Sequence, residues 1–409
     1  MIMDNIDKRQ EARSMKHEAR STKHEEQRKI LYFLLPVSCF LLLFLSACTK
    51  PQTSSFKQSL DNNEDAYKIA VAAPQFGPYQ ELGLSIVNGA ELAVDLKNQN
   101  GGISGKKIHL VNVDDGGLAG EGTWRARGLV EEMVLGVIGH LNSDISIPAS
   151  EIYSKAMIAE ISPGSTSPFF TERPPVMNYV FRTVGRDDQQ GEITAKFVLE
   201  KGFKKIAVLY NDRGYGLSLS SEFVKKINTT SQTADVVSYE MYKVGSKDFS
   251  KEINALKIKS PDLIFFAGEY SDAAKFLKQL RGAGLKTAFL GSEAVFDPEF
   301  ISSAGNTSEG ALVVSLPEAK DQNFIQGYKK KFGKELGAYS ANSYDATNIL
   351  ISAIEKVKEK DPAKIAKVIK ETKNYPGLTG KITFDLKGDL VNPAFLIYQV
   401  KNGMFVSVQ

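Results

Sequence analysis

Short apolar segments alternate with amphipathic segments along most of the chain after residue 65. Short apolar segments are typical of buried strands, and the longer segments between them place apolar residues three or four positions apart, as helices do. In the first helical segment, for example, Leu84, Val87, Leu92 and Leu96 are spaced in this way. Strands separated by helices of this length predict right-handed βαβ units and parallel sheets.

The predicted elements fall into two series of similar length and order. The first contains strands Tyr67–Ala73, Lys107–Val113, Val134–Ile138 and Met157–Ile161, with helices Leu82–Asn98 and Thr123–Glu132. The second contains strands Ile206–Tyr210, Asp235–Tyr242, Asp262–Phe266 and Ala288–Leu290, with helices Gln189–Glu200, Gly216–Ile227, Phe249–Lys259 and Ser271–Gly282. Two such series predict an α/β fold of two doubly wound parallel-sheet lobes. Ligands in such folds bind beyond the carboxyl ends of the strands, so we expect a cleft that closes by a hinge.

The last part of the chain does not simply extend the second series. Helices are predicted at Asp321–Phe332, Ser340–Glu359 and Pro362–Thr372, before strands Lys381–Phe384 and Ala394–Val400. We therefore expect the chain to cross between the lobes near Arg186, Pro317 and Leu378, through a multi-strand hinge. Residues 66–186 with 317–378 are predicted to form lobe 1, and residues 187–316 with 379–409 to form lobe 2.

The beginning of the chain has the pattern of a secretory signal. A polar segment ends in Arg28 and Lys29, and the uncharged apolar run Ile30–Leu45 follows. This run is short for a membrane-spanning helix, which needs about 20 apolar residues. The next residues, Leu45–Cys48, read LSAC and resemble a bacterial lipobox.

We therefore expect residues 1–47 to be a signal peptide, Cys48 to be lipidated, and residues 48–65 to carry the lipid and form a flexible tether. An uncleaved membrane anchor is the alternative. The true start of translation is either Met1 or Met15.

Composition and reactive residues argue against several functional classes. Hydrophobic residues make up 42% of the chain and the formal net charge is +3, without the basic excess of a nucleic-acid-binding surface. The only cysteines, Cys39 and Cys48, precede the folded part, which therefore has no disulfide. His109 and His140 are the histidines that follow the signal, and neither stands in a catalytic or metal-binding motif. We expect neither an enzyme nor a protein that holds a cofactor or metal.

Nine segments resemble the leucine, isoleucine and valine-binding proteins and their wider amino-acid-binding relatives, in the same order along the chain. They are GPYQELG (Gly77–Gly83), NGAELAVDLKNQNGGISGKKIHLVNVDD (Asn88–Asp115), VIGHLNSDISIPASEIY (Val137–Tyr153), ISPGSTSP (Ile161–Pro168), FRTVGRDDQQG (Phe181–Gly191), DRGYG (Asp212–Gly216), KDFS (Lys247–Ser250), GLKTAFLGSE (Gly284–Glu293) and GLTGKITFDLKGDL (Gly377–Leu390). The resemblance implies a type I periplasmic binding protein of Venus-flytrap form. Such a protein captures an amino acid, branched-chain or related, between its lobes and delivers it to an ABC transporter permease.

The resemblance also implies a location on the outer side of the membrane, through the lipid anchor, and a monomeric state. A ligand-sensing or regulatory lipoprotein with the same fold is the alternative from another functional class. Permease genes beside this one would favour transport over sensing.

For the ligand carboxylate, the resemblance implies Ser143, Ser165 and Thr166. The two loops that hold them follow predicted strands, where helix N-termini and hydroxyl groups suit an anion. Pro148 and Pro168 mark helix starts or turns nearby. The alternative is that these hydroxyls only cap helices or form turns.

For the α-amino group, the resemblance implies Glu293, and it implies Tyr215 as a pocket aromatic. A solvated Glu293 and a core Tyr215 are the alternatives. The chain departs from the family at Glu269, where branched-chain binders have a Tyr, although Tyr270 would substitute if the loop shifted by one residue. It departs again at Leu82, where leucine binders have a Trp.

These departures leave the ligand open. Two carboxylates near one ammonium repel each other unless one is protonated or the ligand carries further positive charge. An amide or a basic amino-acid-like compound is therefore an alternative ligand.

Overall fold

The computed structural model describes residues 66–408, so the predicted signal peptide, Cys48 and the tether lie outside the described residues. Within this range the chain forms two sheets, each dominated by parallel strands and covered by helices. None of the helices in residues 66–408 combines the length and apolar character that crossing a bilayer requires.

The first sheet has five parallel strands in the order β2-β1-β3-β4-β5. Its strands are β1 Tyr67–Ala73, β2 Ile108–Asp114, β3 Gly136–Gly139, β4 Ala159–Ser162 and β5 Val180–Arg182. The connecting helices are α1 Gln80–Gln99, α2 Ala119–Glu131 and α3 Ser143–Lys155, with short 3-10 turns at Gly77–Tyr79 and Pro168–Phe170. The strand order reverses between β1 and β3, and this reversal creates a crevice at their carboxyl ends.

The second sheet has seven strands in the order β14-β13-β10-β9-β8-β6-β7. Its strands are β6 Lys205–Asn211, β7 Asp235–Tyr242, β8 Leu263–Ala267, β9 Ala288–Gly291, β10 Leu312–Ser315, β13 Leu396–Lys401 and β14 Met404–Ser407. The helices are α4 Asp187–Glu200, α5 Gly214–Thr230, α6 Ser250–Lys259, α7 Tyr270–Gly282 and α8 Pro298–Ala304, with 3-10 turns at Glu293–Val295 and Gly305–Ser308. The strands from β6 to β10 are parallel, whereas β13 is antiparallel to β10 and forms a hairpin with β14.

Between β10 and β13 the chain returns to the first lobe. This part comprises α9 Gln322–Phe332, α10 Ser340–Val357, α11 Pro362–Lys370, and the hairpin of β11 Tyr375–Gly377 with β12 Gly380–Ile382. Helix α10 lies so close to α1 that a Cβ on Gly89 would stand 2.3 Å from the Ser340 carbonyl oxygen. Asp345 of α10 accepts hydrogen bonds from the backbone N–H groups of Leu378 and Thr379.

The last passage between the lobes occurs later than the sequence predicts. After β12, the Arg182 N–H of β5 donates to the Gly388 carbonyl, and the Asp389 carboxylate forms an ion pair with Arg182. These contacts keep the chain against the first sheet until Asp389, and β13 of the second sheet begins only at Leu396. The predicted passage near Leu378 is therefore wrong, because the turn after β11 folds back as a hairpin instead of leaving the lobe.

Helix α3 is an element that the sequence pattern does not predict. Pro148 lies inside it, five residues after its first residue Ser143, and so does not mark its start. A proline has no N–H to donate within a helix, which weakens the sequence signal for one. The packing of α3 outweighs the missing hydrogen bond, because its residues Ile145, Ala149 and Tyr153 are fully buried.

Candidate functional site

A small cavity lies between the two lobes, at the carboxyl ends of both sheets. Its lining residues follow strands β1, β3 and β4 of the first sheet and β6, β8 and β9 of the second, with one more residue before α10. They are Leu82, Leu141, Asn142, Ser143, Gly164, Tyr215, Glu269, Ala294 and Tyr339. The cavity volume is about 20 Å³, enough for about one water molecule. An amino acid is larger, so its admission requires the lobes or the lining side chains to move apart.

The first lobe presents the beginning of a helix to this cavity. Asn142 is the N-cap of α3 and Ser143 is its first residue, and both line the cavity. The Ser143 hydroxyl accepts a hydrogen bond from the Ser167 N–H at 3.2 Å, which ties the loop after β3 to the loop after β4. A helix N-terminus carries partial positive charge, so this wall suits a carboxylate.

Ser165 does not line the cavity. Its hydroxyl lies 2.6 Å from the Ser146 hydroxyl within the first lobe, and its N–H donates to Ser162 Oγ at 2.8 Å. The side chain thus holds the loop in place, and Gly164 is the residue of this loop that reaches the cavity. The prediction that the Ser165 hydroxyl binds a ligand finds no support in this geometry.

Thr166 is fully buried next to the cleft, although it is not among the lining residues. Its carbonyl accepts the Asp187 N–H at 2.9 Å, at the point where the chain first enters the second lobe. Its hydroxyl has no hydrogen bond of ordinary geometry within residues 66–408. A buried hydroxyl without a partner is costly, and the ligand-binding role of Thr166 stays a prediction.

On the second lobe, Glu293 and Tyr215 form one hydrogen-bonded group. The Tyr215 hydroxyl donates to Glu293 Oε2 at 2.9 Å, and the Gln190 amide donates to the same oxygen. The Tyr339 hydroxyl lies 3.5 Å from Oε1. Burial raises the pKa of Glu293, although these neutral donors favour its ionised form. Glu293 is buried, so the alternative of a solvated loop residue is wrong.

Glu269 lies at the cavity wall, as the N-cap of α7. Asn211 Nδ2 donates to Glu269 Oε2 at 2.8 Å. The orientation of this amide is determined by its oxygen, which accepts the N–H groups of Arg213 and Gly216. Burial raises the pKa of Glu269 to about 8. Tyr270, the next residue, is not a lining residue, so the cavity receives Glu269 in its place.

Three residues of this site were not predicted from the sequence. Tyr339 lines the cavity, Gln190 donates to Glu293, and Asp187 is fully buried at the first position of α4. Burial, together with the nearby Glu293 carboxylate, raises the pKa of Asp187 to about 7. Asp187 and Gln190 fall in the segment Phe181–Gly191, whose resemblance to the family was a usable signal. A single tyrosine before a helix, such as Tyr339, carries no such signal.

A larger cavity of about 530 Å³ adjoins the first one on the hinge side. The two cavities share Tyr339, and the larger one is also lined by Glu293 and extends to Pro317 and Thr379. Its walls are mainly apolar, and the N-terminus of α3 does not contribute to them. The smaller cavity is therefore the better candidate for an amino-acid site, since it combines that helix end with a buried carboxyl group, Glu269.

Comparison with known proteins agrees with this architecture. Residues 66–404 match the sequence pattern of a family described as periplasmic binding proteins. The chain belongs to the periplasmic binding protein family. The match extends over nearly all of the described residues, so both lobes and the passages between them belong to the family.

Individual members of the family show the same relationship. A Leu/Ile/Val-binding protein homologue of Brucella abortus is 34% identical over 82% of this chain and 90% of its own length. A leucine-, isoleucine-, valine-, threonine- and alanine-binding protein of Pseudomonas aeruginosa is 33% identical over the same shares. The solved leucine-binding protein of Thermotoga maritima is 28% identical, with a TM-score of 0.77 over 84% of this chain and 98% of that one.

These matches confirm the predicted resemblance and the predicted fold class. Periplasmic binding proteins bind solutes outside the cytoplasm and are not enzymes as a family. A branched-chain amino acid transporter substrate-binding protein of Streptococcus pneumoniae, solved with isoleucine, has a TM-score of 0.76 and 25% identity over 84% of this chain and 99% of its own. Ligand binding and an extracytoplasmic location are thus properties of the group to which this chain belongs.

Proposed function

We propose that this protein captures an amino acid, branched-chain or related, in the cavity between its lobes and delivers it to an ABC transporter permease. The observation that carries the proposal is the polarity of the cavity. The N-terminus of α3, with Ser143, lies on one side, and the second lobe contributes Glu269 and Ala294 on the other, with the buried Glu293 directly before Ala294. A zwitterion fits such a site, because its carboxylate meets the helix end and its ammonium meets the carboxylate.

Binding and release follow from the size of the cavity. The lobes in their present arrangement leave about 20 Å³. The amino acid therefore binds an open form, and closure surrounds it with groups from both lobes. The closed form then presents both lobes together to the permease. The protein acts by binding and release and performs no catalysis.

Attachment to the envelope is part of the same proposal. Cys48 is lipidated after removal of residues 1–47, and the protein works as a monomer on the extracytoplasmic side of the membrane. Replacing Cys48 by Ser tests this step. The variant should move from the membrane fraction to the soluble fraction, and its retention in the membrane would instead indicate an uncleaved anchor.

Thermal unfolding of the full chain in mild detergent tests amino-acid capture. After unfolding and refolding to remove bound ligand, amino acids, amides and polyamines are added one at a time. A ligand at 100 times its dissociation constant stabilises the folded protein by about 2.7 kcal/mol, which raises the unfolding midpoint measurably. We expect at least one amino acid to do so. A flat response to every compound would refute capture.

The Glu293→Ala variant locates the site. It should lose most of the ligand-induced shift, because the ligand ammonium then loses the carboxylate proposed to pair with it. Glu371→Ala, at an exposed position at the end of α11, is the matched control and should keep the full shift. Equal shifts in the two variants would place the ligand elsewhere.

A further inference from the structure

Three buried carboxyl groups lie on the second-lobe side of the cleft, and one of them, Glu269, lines the ligand cavity. Asp187, Glu269 and Glu293 have 0%, 5% and 4% of their surface exposed. Within residues 66–408, none of the three has a lysine, arginine or histidine nitrogen within 4 Å. Buried carboxylates are normally paired with a cation, because an unpaired buried charge is costly.

Arg213, in the loop after β6, forms no ion pair within 4 Å among residues 66–408, and the two arginines beside Asp187 are engaged with another carboxylate. Arg182 and Arg186 both form ion pairs with Asp389, at 2.7 Å each. The groups that do contact Glu293 and Glu269 are neutral donors, from Tyr215, Gln190 and Asn211. Neutral donors satisfy oxygen lone pairs but do not compensate charge. The three carboxyl groups of the cleft thus have no cationic partner within 4 Å among residues 66–408.

An aliphatic amino acid does not supply a cationic partner for each of these carboxyl groups. Its ammonium offsets one carboxylate, while its own carboxylate is directed to the N-terminus of α3. Glu269 would then face an aliphatic side chain across a cavity wall formed by Leu82, Tyr215 and Tyr339. A buried carboxyl against apolar groups is an unfavourable arrangement for binding. A second cationic group on the ligand removes this penalty.

We propose, on the basis of the amino-acid capture proposed above, that the ligand is an α-amino acid with a basic side chain. Its α-ammonium pairs with Glu293, and its side-chain cation pairs with Glu269. Asn211 holds the Glu269 carboxylate for this contact, since its amide orientation is determined by two backbone N–H groups. The helix end at Ser143 receives the α-carboxylate.

Proton release accompanies this binding. Burial raises the pKa of Glu269 to about 8, so near neutral pH the free protein holds a proton there. A cation favours the ionised carboxylate and expels the proton. Affinity for a basic amino acid should therefore rise by up to about tenfold per pH unit below pH 8, and level off above it. An aliphatic amino acid has no cation to place on Glu269, so the part of this pH dependence that comes from Glu269 should be absent for it.

Isothermal titration calorimetry on the full chain in mild detergent tests the proposal. L-lysine, L-ornithine, L-leucine and L-isoleucine are titrated at pH 6.5 and pH 8.5 into the wild type, Glu269→Gln and Glu371→Gln. We expect lysine or ornithine to bind the wild type at least tenfold more tightly than leucine, and more tightly at pH 8.5 than at pH 6.5. Glu269→Gln should lose at least tenfold of the affinity for the basic ligand, and Glu371→Gln should match the wild type.

Tighter binding of leucine or isoleucine than of the basic amino acids would overturn the ligand class and leave amino-acid capture intact. Binding of lysine to Glu269→Gln with the affinity of the wild type would likewise overturn the ligand class and leave amino-acid capture intact. Binding of none of the four, together with a flat thermal response to the wider panel, would refute capture itself. The pH dependence is measured on the wild type, so the proposal stays testable even if Glu269→Gln fails to fold.

Discussion

The ion pair between Arg182 and Asp389 provides the sharpest test of how this fold is held together. Arg182 of β5 is fully buried, and its Nε lies 2.7 Å from Asp389 Oδ1. Its other nitrogens donate to the carbonyls of Ser165 and Ser167 at 2.8 and 3.0 Å. The pair therefore links the loop beside the ligand cavity to the segment that leads into the second lobe. We predict that Asp389→Ala destabilises the protein strongly.

The size of this destabilisation follows from the burial of the ion pair. Removing one partner of a buried ion pair costs about 3–5 kcal/mol, because the other charge is left uncompensated. Unfolding a chain of roughly 340 residues has an entropy of about 0.7 kcal/mol/K. The unfolding midpoint should therefore fall by about 4–7 °C. Arg186 loses less, since it keeps its ion pairs with Glu172 and Asp188.

Differential scanning calorimetry of the ligand-free full chain in mild detergent measures the midpoint. Glu172→Ala is the matched control, because Glu172 belongs to the same network but has 39% of its side chain exposed. Exposed ion pairs contribute about 0–1 kcal/mol, so this control should shift the midpoint by about 1.5 °C or less. If Asp389→Ala lowers the midpoint no more than Glu172→Ala does, burial is not what makes this ion pair important.

Two further predictions concern the first lobe. Gly89→Ala should destabilise the protein by about 1–3 kcal/mol in chemical unfolding, because the new Cβ would stand 2.3 Å from the Ser340 carbonyl oxygen. The control Gly128→Ala, in open space on α2, should stabilise the protein by about 0.4–1 kcal/mol. Equal effects of the two substitutions would contradict the close packing of α1 and α10. Burial raises the pKa of Glu160 to about 8 in the folded protein, whereas its pKa in the unfolded chain is about 4.3. The contribution of Glu160 to stability is therefore fully present below about pH 4.3 and is lost as the pH rises to about 8. The midpoint of Glu160→Gln minus that of the wild type should therefore be larger at pH 8 than at pH 5, and a constant difference would show that Glu160 does not titrate in this range.

Much of the architecture could be predicted from local patterns. The strand Tyr67–Ala73 has the predicted bounds, because a short apolar run between turns specifies a buried strand without reference to the rest of the chain. The edge strand Asp235–Tyr242, half-exposed and rich in valine and tyrosine, also has the predicted bounds. Helix α3 was missed because Pro148 weakens the local signal, while the buried face that stabilises the helix is a tertiary property. The passage after Asp389 was misplaced for the same reason, since its ion pair with Arg182 joins distant segments.

The candidate site shows the same division. The sequence alone, through segments that resemble a known family, determined that Leu82, Ser143, Tyr215, Glu269 and Glu293 belong near one cleft. Only the tertiary structure decided that the Ser165 hydroxyl turns into the first lobe and that Tyr339 forms part of the wall. It also decided that Gln190 reaches Glu293 across 103 residues of sequence. Local periodicity specifies which segments become strands and helices, but charge compensation and side-chain direction depend on which distant segments meet.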